Sequence, residues 1–556
     1  MNAALLVLAW LTPLLAAGLA WRTWGRWLPA LAALPALAAG IILPLGARLE
    51  VPWLLLGTRF GLDGNGRIFL LFTAVLWLVA GLQAALTMGA GPRAGRFRLL
   101  FLLAMAGNLW LIVGQDLVSF YLGFALMGLA AYGLVIHSGE PSALRAGRVY
   151  LAMTLVAELA LFAALVLIAD HTGTLVPEPH QLLSLGDWAI GLLVLGLGIK
   201  AGFIGLHVWL PLAHPAAPVP ASAVLSGTMI KASLIGWLRL LPLGQEPLPG
   251  WGGLLVALGI ATVLYAIPIG LAQTNPKVVL AYSSVGKMGL MTTLLGAALL
   301  EPPLAPALVA GLALYAAHHG LAKGALFLGV GIARETRARW VLALLAIPAL
   351  ALAGAPFTSG ALVKGLVKPE LAPLIAPWGD ALVLVLTAST LGTTLLMARF
   401  LVLVGAHRAA GTPSSAWIAL PWLGLICLVL GWPILSGIGF PPLSTSWPVL
   451  AGALLALPLA WMHPAWTAAL VGGIPPGDLL APLTRVAVAL GRWIRSLWGS
   501  VAAWGLAGIG RLQARVHPAR ATWPNAADLA LQSWPLAGAL FLGIAGALFA
   551  LASLSS

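Results

Sequence analysis

The chain has 556 residues, of which only 8% are Asp, Glu, Lys or Arg, against roughly 25% in ordinary soluble domains; 61% are apolar and the mean hydropathy is +1.02. A soluble protein needs a charged skin, so this composition excludes a cytosolic enzyme, a nucleic-acid-binding protein and a disordered chain. The net charge of +14 is read as loop arginine that orients a membrane protein.

Few charges, long apolar runs, 65 glycines and 40 prolines fit an all-α polytopic membrane protein. Residues 3–20 are apolar, but no positive charge precedes them and Arg22 and Arg26 follow, the reverse of a cleaved signal. They read as a retained first helix. Further apolar runs lie near 27–46, 66–88, 98–114, 117–137, 148–169, 186–206, 220–242, 250–272, 277–299, 304–333, 340–366, 376–404, 416–436, 447–462 and 534–553. Odd-numbered loops between them hold Arg22, Arg26, Arg93, Arg96, Arg98, Arg145, Arg148, Lys277, Arg334, Arg337, Arg339 and Arg408. Even-numbered loops hold fewer: Arg48, Arg59, Arg67, Arg239 and Lys368. That bias predicts cytoplasmic odd loops and an outer N-terminus in the inner membrane of a prokaryote.

Within 478–516, Arg485, Arg492, Arg495, Arg511 and Arg515 interrupt apolar sequence, with Trp493 and Trp498 among them. The stretch is too charged to span and too apolar to float free. It reads as an amphipathic helix in the interface plane on the cytoplasmic side, about 58 Å long if continuous, or as two short loop helices. The single cysteine, Cys427, excludes a disulfide framework or a cysteine-ligated cluster in this chain and reads as inert core. No cofactor or metal is expected.

A charge at the bilayer centre costs roughly 2.5–3.5 kcal/mol, so ionisable residues within predicted spans are functional candidates. They are Glu158, Lys200 and His207, Lys231, Lys287, then His318, His319 and Lys323 on one run, and Lys364; His214 follows closely on His207. His319 and Lys323 form an i, i+4 pair. Lys364 alone could snorkel to an interface, but the other lysines lie on separate predicted helices. Lysine removed from water releases its proton more readily, and a nearby carboxylate reverses that, so such a set can relay protons; the alternative is structural polar pairing. Pro211, Pro215, Pro218 and Pro220, and then Gly354, Pro356 and Gly360, predict two interrupted helices, the pattern of inverted repeats lining a cavity.

The run His207-Val208-Trp209-Leu210-Pro211-Leu212-Ala213-His214-Pro215-Ala216-Ala217-Pro218-Val219-Pro220-Ala221-Ser222-Ala223 resembles the signature of the antiporter-like subunits of respiratory complex I, Mrp-type cation/proton antiporters and energy-converting hydrogenases. Further matches are Asp116-Leu117-Val118-Ser119-Phe120-Tyr121, Lys277-Val278-Val279-Leu280-Ala281-Tyr282-Ser283-Ser284, His319-Gly320-Leu321-Ala322-Lys323 and the segment from Ser359-Gly360 to Lys364. Met229-Ile230-Lys231, with Trp237-Leu238-Arg239, looks most like the large antiporter-like subunit of formate hydrogenlyase and related membrane hydrogenases. The resemblance implies fourteen core helices with two inverted five-helix repeats. It implies a proton path through Lys200, Lys231, Lys323 and Lys364 with His319 as relay, and a lateral helix followed by an anchoring helix. The family glutamate after the Phe-Tyr motif is absent: the aligned residues are Phe124-Ala125-Leu126-Met127. Glu158 is the mid-membrane carboxylate left to pair with Lys200.

The sequence therefore predicts N-terminal helices over 1–97, an antiporter-like core over 98–436, a further helix and loop over 437–477, the lateral segment over 478–533 and an anchor over 534–556. The leading functional expectation is a proton-translocating subunit of a redox-driven membrane complex, with other membrane subunits and a peripheral redox or uptake subunit as partners. A secondary Mrp-type Na⁺/H⁺ antiporter, an energising subunit for inorganic-carbon uptake and a non-pumping anchor are the alternatives.

Overall fold

In the computed structural model the described residues are 4–336, 339–371, 374, 378–406, 416–461 and 474–485. The chain divides into two compact units, Met1–Leu480 and Ala481–Ser556. Only 481–485 of the second unit, which are helical, are described, so the lateral segment beyond Arg485 and the anchoring run 534–553 lie outside the described residues.

The first unit opens with α1 (Ala4–Ala17), α2 (Leu28–Leu31) and α3 (Leu34–Ile42), then an antiparallel hairpin of β1 (Ala47–Val51) and β2 (Thr58–Leu62) that the apolar pattern did not announce. Four long helices follow: α4 (Gly64–Thr87), α5 (Pro92–Val113), α6 (Leu117–Val135) and α7 (Pro141–Thr172). Their starts are specified locally. Asp63 caps α4 by accepting from the Gly66 N–H, and Asp116 caps α6 by accepting from the Ser119 N–H at 2.7 Å. The other Asp116 oxygen takes the Arg59 N–H, tying the hairpin to the start of α6. The aspartate of the Asp-Leu-Val-Ser-Phe-Tyr motif is thus a cap, and Ser119 beside it is fully buried.

The middle of the chain is a series of broken helices: α8 (Asp187–Ala201), α9 (Trp209–Ala216), α10 (Val219–Gly227) and α11 (Ala232–Leu240). Two unbroken helices, α12 (Pro249–Leu271) and α13 (Pro276–Leu300), then pair along their length, and α13 is buried nearly all round. Next come α14 (Ala305–Thr336), α15 (Arg339–Ala353), α16 (Ser359–Leu371), α17 (Trp378–Ala406), α18 (Leu420–Leu435) and α19 (Trp447–Trp461).

Among the described residues, eleven helical stretches are long and apolar enough to cross a membrane, which makes the chain a polytopic membrane protein. Four further expected runs hold helices too short for that: Ala4–Ala17, the α8 region, Arg339–Ala353 and the last apolar helix near 443–458. The runs 186–206 and 340–366 fall short because each is interrupted, the first after Gly202 and the second at residues 354–358. A third interruption, at Thr228–Lys231 inside the run 220–242, has no proline to announce it. Pro211 and Pro220 do not make the breaks; each sits in the first turn of its helix, where the missing N–H costs nothing.

Three basic residues counted as loop charges are structural pins. Arg98 is buried and donates to the Ala20 carbonyl at 2.7 Å. Lys277 donates to the carbonyls of His214 and Ala217 and to Ser222 Oγ, satisfying groups freed where α9 ends. Arg239 donates to the carbonyls of Leu111, Ile112 and Gly114 at the end of α5 and pairs with Asp63 at 3.4 Å. Arg239→Leu should strip these carbonyls of their donor and lower the stability of the detergent-solubilised protein by about 3 kcal/mol. An unchanged thermal unfolding midpoint would refute that role. Cys427 also differs from expectation: it is exposed on the outer face of α18, because the apolar run around it faces away from the bundle as well as into it.

Candidate functional site

A helix break leaves carbonyl groups without partners at the end of its first half, and these carry the negative end of the helix dipole. Two of the buried lysines, Lys231 and Lys364, bind carbonyls at such ends, and Lys200 lies in the last turn of its helix. Lys231, at the break between α10 and α11, donates from Nζ to the Ser226 carbonyl at 2.5 Å. Lys364, on α16, reaches back to the Ala353 carbonyl that ends α15, at 2.7 Å, and to Thr390 Oγ1 at 2.9 Å. Gly354 makes that approach feasible: its backbone is left-handed at φ +85, and a Cβ there would lie 2.6 Å from Lys364 Nζ. Lys200 lies in the last turn of α8 and donates to the Tyr150 hydroxyl at 3.3 Å.

Lys200 is held in an aromatic cage, 5.6 Å from the ring centres of Phe124 and Tyr150 and 5.9 Å from that of Trp209. Glu158 is buried on α7 beside the same spot. A Cβ built on Gly128 would lie 2.8 Å from Glu158 Oε1 and 3.9 Å from Lys200 Nζ, so the two groups flank one Cβ-sized space kept open by that glycine. Among the described residues they make no ion pair closer than 4.0 Å, and Glu158 Oε1 has no hydrogen-bond partner.

A hydroxyl pair lies between the carbonyls that bind Lys231 and Lys323. Ser226, whose carbonyl binds Lys231, places its Oγ 2.9 Å from Ser284 Oγ. Ser284 donates to the Leu280 carbonyl, and Lys323 Nζ donates to that same carbonyl at 2.8 Å. His319 is fully buried one turn before Lys323, within electrostatic reach of Lys231, Lys287 and Lys323. Lys287 donates to Ser389 Oγ at 3.2 Å on α17. His318 Nδ1 is 2.7 Å from Ser359 Oγ at the start of α16, five residues ahead of Lys364. Beside Lys364 is a cavity of about 190 Å³ lined by Gly354, Lys368, Thr387, Thr390 and Pro441.

Two expected relay candidates fall elsewhere. His214 is buried against the ring of Phe327 at 4.5 Å, and neither ring nitrogen has a partner among the described residues. His207 occupies the gap between α8 and α9, fully buried, with the rings of Tyr265 and Tyr282 around it. Its Nε2 is 3.4 Å from Asp478 Oδ1. Asp478 also accepts hydrogen bonds from the hydroxyls of Tyr265 and Tyr282, the second at 2.8 Å. Burial pushes the Asp478 carboxyl up, but hydrogen bonds from His207, Tyr265 and Tyr282 outweigh it and hold the group below the usual aspartate value.

Sequence reading missed Tyr150, the Ser226–Ser284 pair, Ser389, Thr390 and Asp478. Hydroxyl residues are common in helices of this kind and carry no pattern. Asp478 was absorbed into the amphipathic segment as one more polar residue.

Residues 114–368 match the family model described as "NADH:quinone oxidoreductase/Mrp antiporter, TM". Hydrogenase-4 component B of Escherichia coli is 32% identical over 312 residues, an alignment covering 53% of this chain and 46% of that protein. The chain thus spans about half the length of the curated relatives it matches first. Among solved structures, the Mrp complex from Dietzia sp. DQ12-45-1b superposes with TM-score 0.72 at 22% identity, over 94% of this chain and 64% of that one. The membrane-bound sulfane sulfur reductase, an archaeal respiratory membrane complex, gives TM-score 0.65 at 20% identity, over 84% of this chain and 99% of that one. These likenesses carry the fold. The match to that family model covers the broken helices and every buried lysine described above, so the likeness rests on the part of the chain that holds the candidate site.

Proposed function

We propose that this chain is the proton-translocating, antiporter-like subunit of a multisubunit redox-driven membrane complex. The observation that carries the reading is the placement of Lys231 and Lys364 on the carbonyl ends of broken helices. A protonated lysine there is stabilised by the helix terminus; loss of the proton weakens that bond and frees the carbonyl. Proton occupancy and the geometry of the break are therefore linked.

In this reading Glu158 sets the charge of Lys200, protons pass along Lys231, the Ser226–Ser284 pair, Lys323 and His319, and they leave by Lys287, His318 and Lys364 into the adjoining cavity. Two inverted five-helix repeats centred on the interrupted helices, within fourteen core helices, account for the corresponding positions of Lys200 and Lys364. The N-terminus faces outward from a prokaryotic inner membrane, and the segment 478–533 lies along the cytoplasmic face before an anchor at 534–556. Other membrane subunits and a peripheral redox subunit supply the electron chemistry, as hydrogenase-4 component B is by name one part of a larger assembly.

Purification from native membranes, followed by reconstitution into vesicles, tests this. Redox subunits should co-purify, and electron transfer should drive proton movement that persists when Na⁺ is replaced by choline. Proton movement driven by a Na⁺ gradient without electron transfer would establish the antiporter reading instead.

A further inference from the structure

We propose that Asp478 is a further proton-exchanging residue, which passes protons to and from His207 at the break between α8 and α9. This rests on the proton-translocating reading above. The residue lies outside the segment matched to the family, on a turn beyond α19.

The turn is built to fit its seat. Gly477 is left-handed at φ +70, and a Cβ there would lie 3.0 Å from Leu212 and 3.2 Å from the Val208 carbonyl, so only glycine lets the chain come this close to the break. Gln273, in the α12–α13 turn, donates to the Ile474 carbonyl at 3.4 Å. The titratable groups facing the Asp478 carboxylate are His207 from the break, Tyr265 from α12 and Tyr282 from α13. A clasp that only fastened the segment would need no charge, and burying a carboxylate is costly unless donors converge on it. Here three do.

The accessibility of the pair is graded. The Asp478 side chain retains 11% of its exposure and His207 none. Tyr265 and Tyr282 lie near the α12–α13 turn, so the carboxylate looks toward that end of the bundle. The other ring nitrogen, Nδ1, is buried and has no partner among the described residues. On its inner side His207 lies beside Gly202, which ends the helix that carries Lys200; a Cβ on Gly202 would lie 3.6 Å from His207 Cβ. One turnover moves one proton: hydronium at the outer face protonates the Asp478 carboxylate, the carboxyl passes that proton to Nε2, Nδ1 releases its own inward, and a flip of the ring restores the starting tautomer. No electrons are exchanged, and imidazole is suited to this because either nitrogen can hold the proton.

The test uses the intact complex in native membrane vesicles. Asp478→Asn, which keeps the shape and loses the exchangeable proton, should cut proton movement about a hundredfold at unchanged amounts of assembled complex. Asp478→Glu should restore movement. Joint Tyr265→Phe and Tyr282→Phe removes two donors, so the carboxylate keeps its proton to higher pH and the pH profile of transport shifts upward; a clasp role would leave that profile in place. If Asp478→Asn fails to assemble, the tyrosine variant decides alone. Normal proton movement in Asp478→Asn, or an unmoved profile in the tyrosine variant, overturns the proposal. No proton movement in the unmodified complex would instead remove the reading on which it rests.

Discussion

Glu158→Gln should reduce proton movement about a hundredfold while the complex remains assembled. Glutamine has the size and polarity of glutamate, so the packing around α7 should survive. What is lost is the negative charge across the Gly128 gap from Lys200. Lys200 is otherwise surrounded by rings and one hydroxyl, which attract a cation but cannot take a proton from it at neutral pH. A carboxylate near a lysine but not locked to it can change the lysine's charge by a small movement, whereas a tight ion pair would hold it permanently protonated. Glu158 stands on the helix after the one where the family pattern places its glutamate, a position that carries Ala125 here. Transport at the normal rate in Glu158→Gln would show that Lys200 operates without a carboxylate on this side.

Lys323→Gln should be equally severe, for a different reason. Lys323 and Lys231 are both buried and bind the carbonyls of Leu280 and Ser226, between which Ser284 and Ser226 place their hydroxyls. Glutamine can still donate to Leu280, so the fold should be kept, but it carries no exchangeable charge. The expected loss is again about a hundredfold, at unchanged assembly. Ser226→Ala with Ser284→Ala leaves both lysines in place and removes only the connecting hydroxyls; transport should fall by about tenfold, since a step that used two bound hydroxyls must then recruit water. If Lys323→Gln is silent while Lys287→Gln is not, the path runs along α17 through Ser389, and the serine pair is structural.

Much of this site was legible before any coordinates, because a charge in an apolar run is costly and therefore conspicuous. Glu158, Lys200, Lys231, Lys287, His319, Lys323 and Lys364 are all buried. The helix end near Gly354 was also signalled by glycine and proline, whereas the end at Gly202 comes earlier than the prolines suggest. Other features left no such mark. The break at Thr228–Lys231 has ordinary helical residues and no proline or glycine within it. Arg98, Arg239 and Lys277 looked like topological charges because pattern alone cannot tell a basic residue in water from one pinning carbonyls at a helix end. The β1–β2 hairpin, with Trp53 and Leu56 exposed at its tip, falls between the apolar runs 27–46 and 66–88 and reads in the sequence only as a loop. Asp478 acquires its meaning only from two tyrosines and a histidine far away in the chain.

Proton movement across native vesicles, recorded with unmodified protein and with Lys323→Gln at matched levels of assembled complex, tests most directly whether the buried lysines carry the current. A path through the lysine axis predicts acidification or alkalinisation of the lumen by the unmodified complex and none by the variant, with electron transfer still measurable in both. Equal pH changes in the two would show that protons cross by another route.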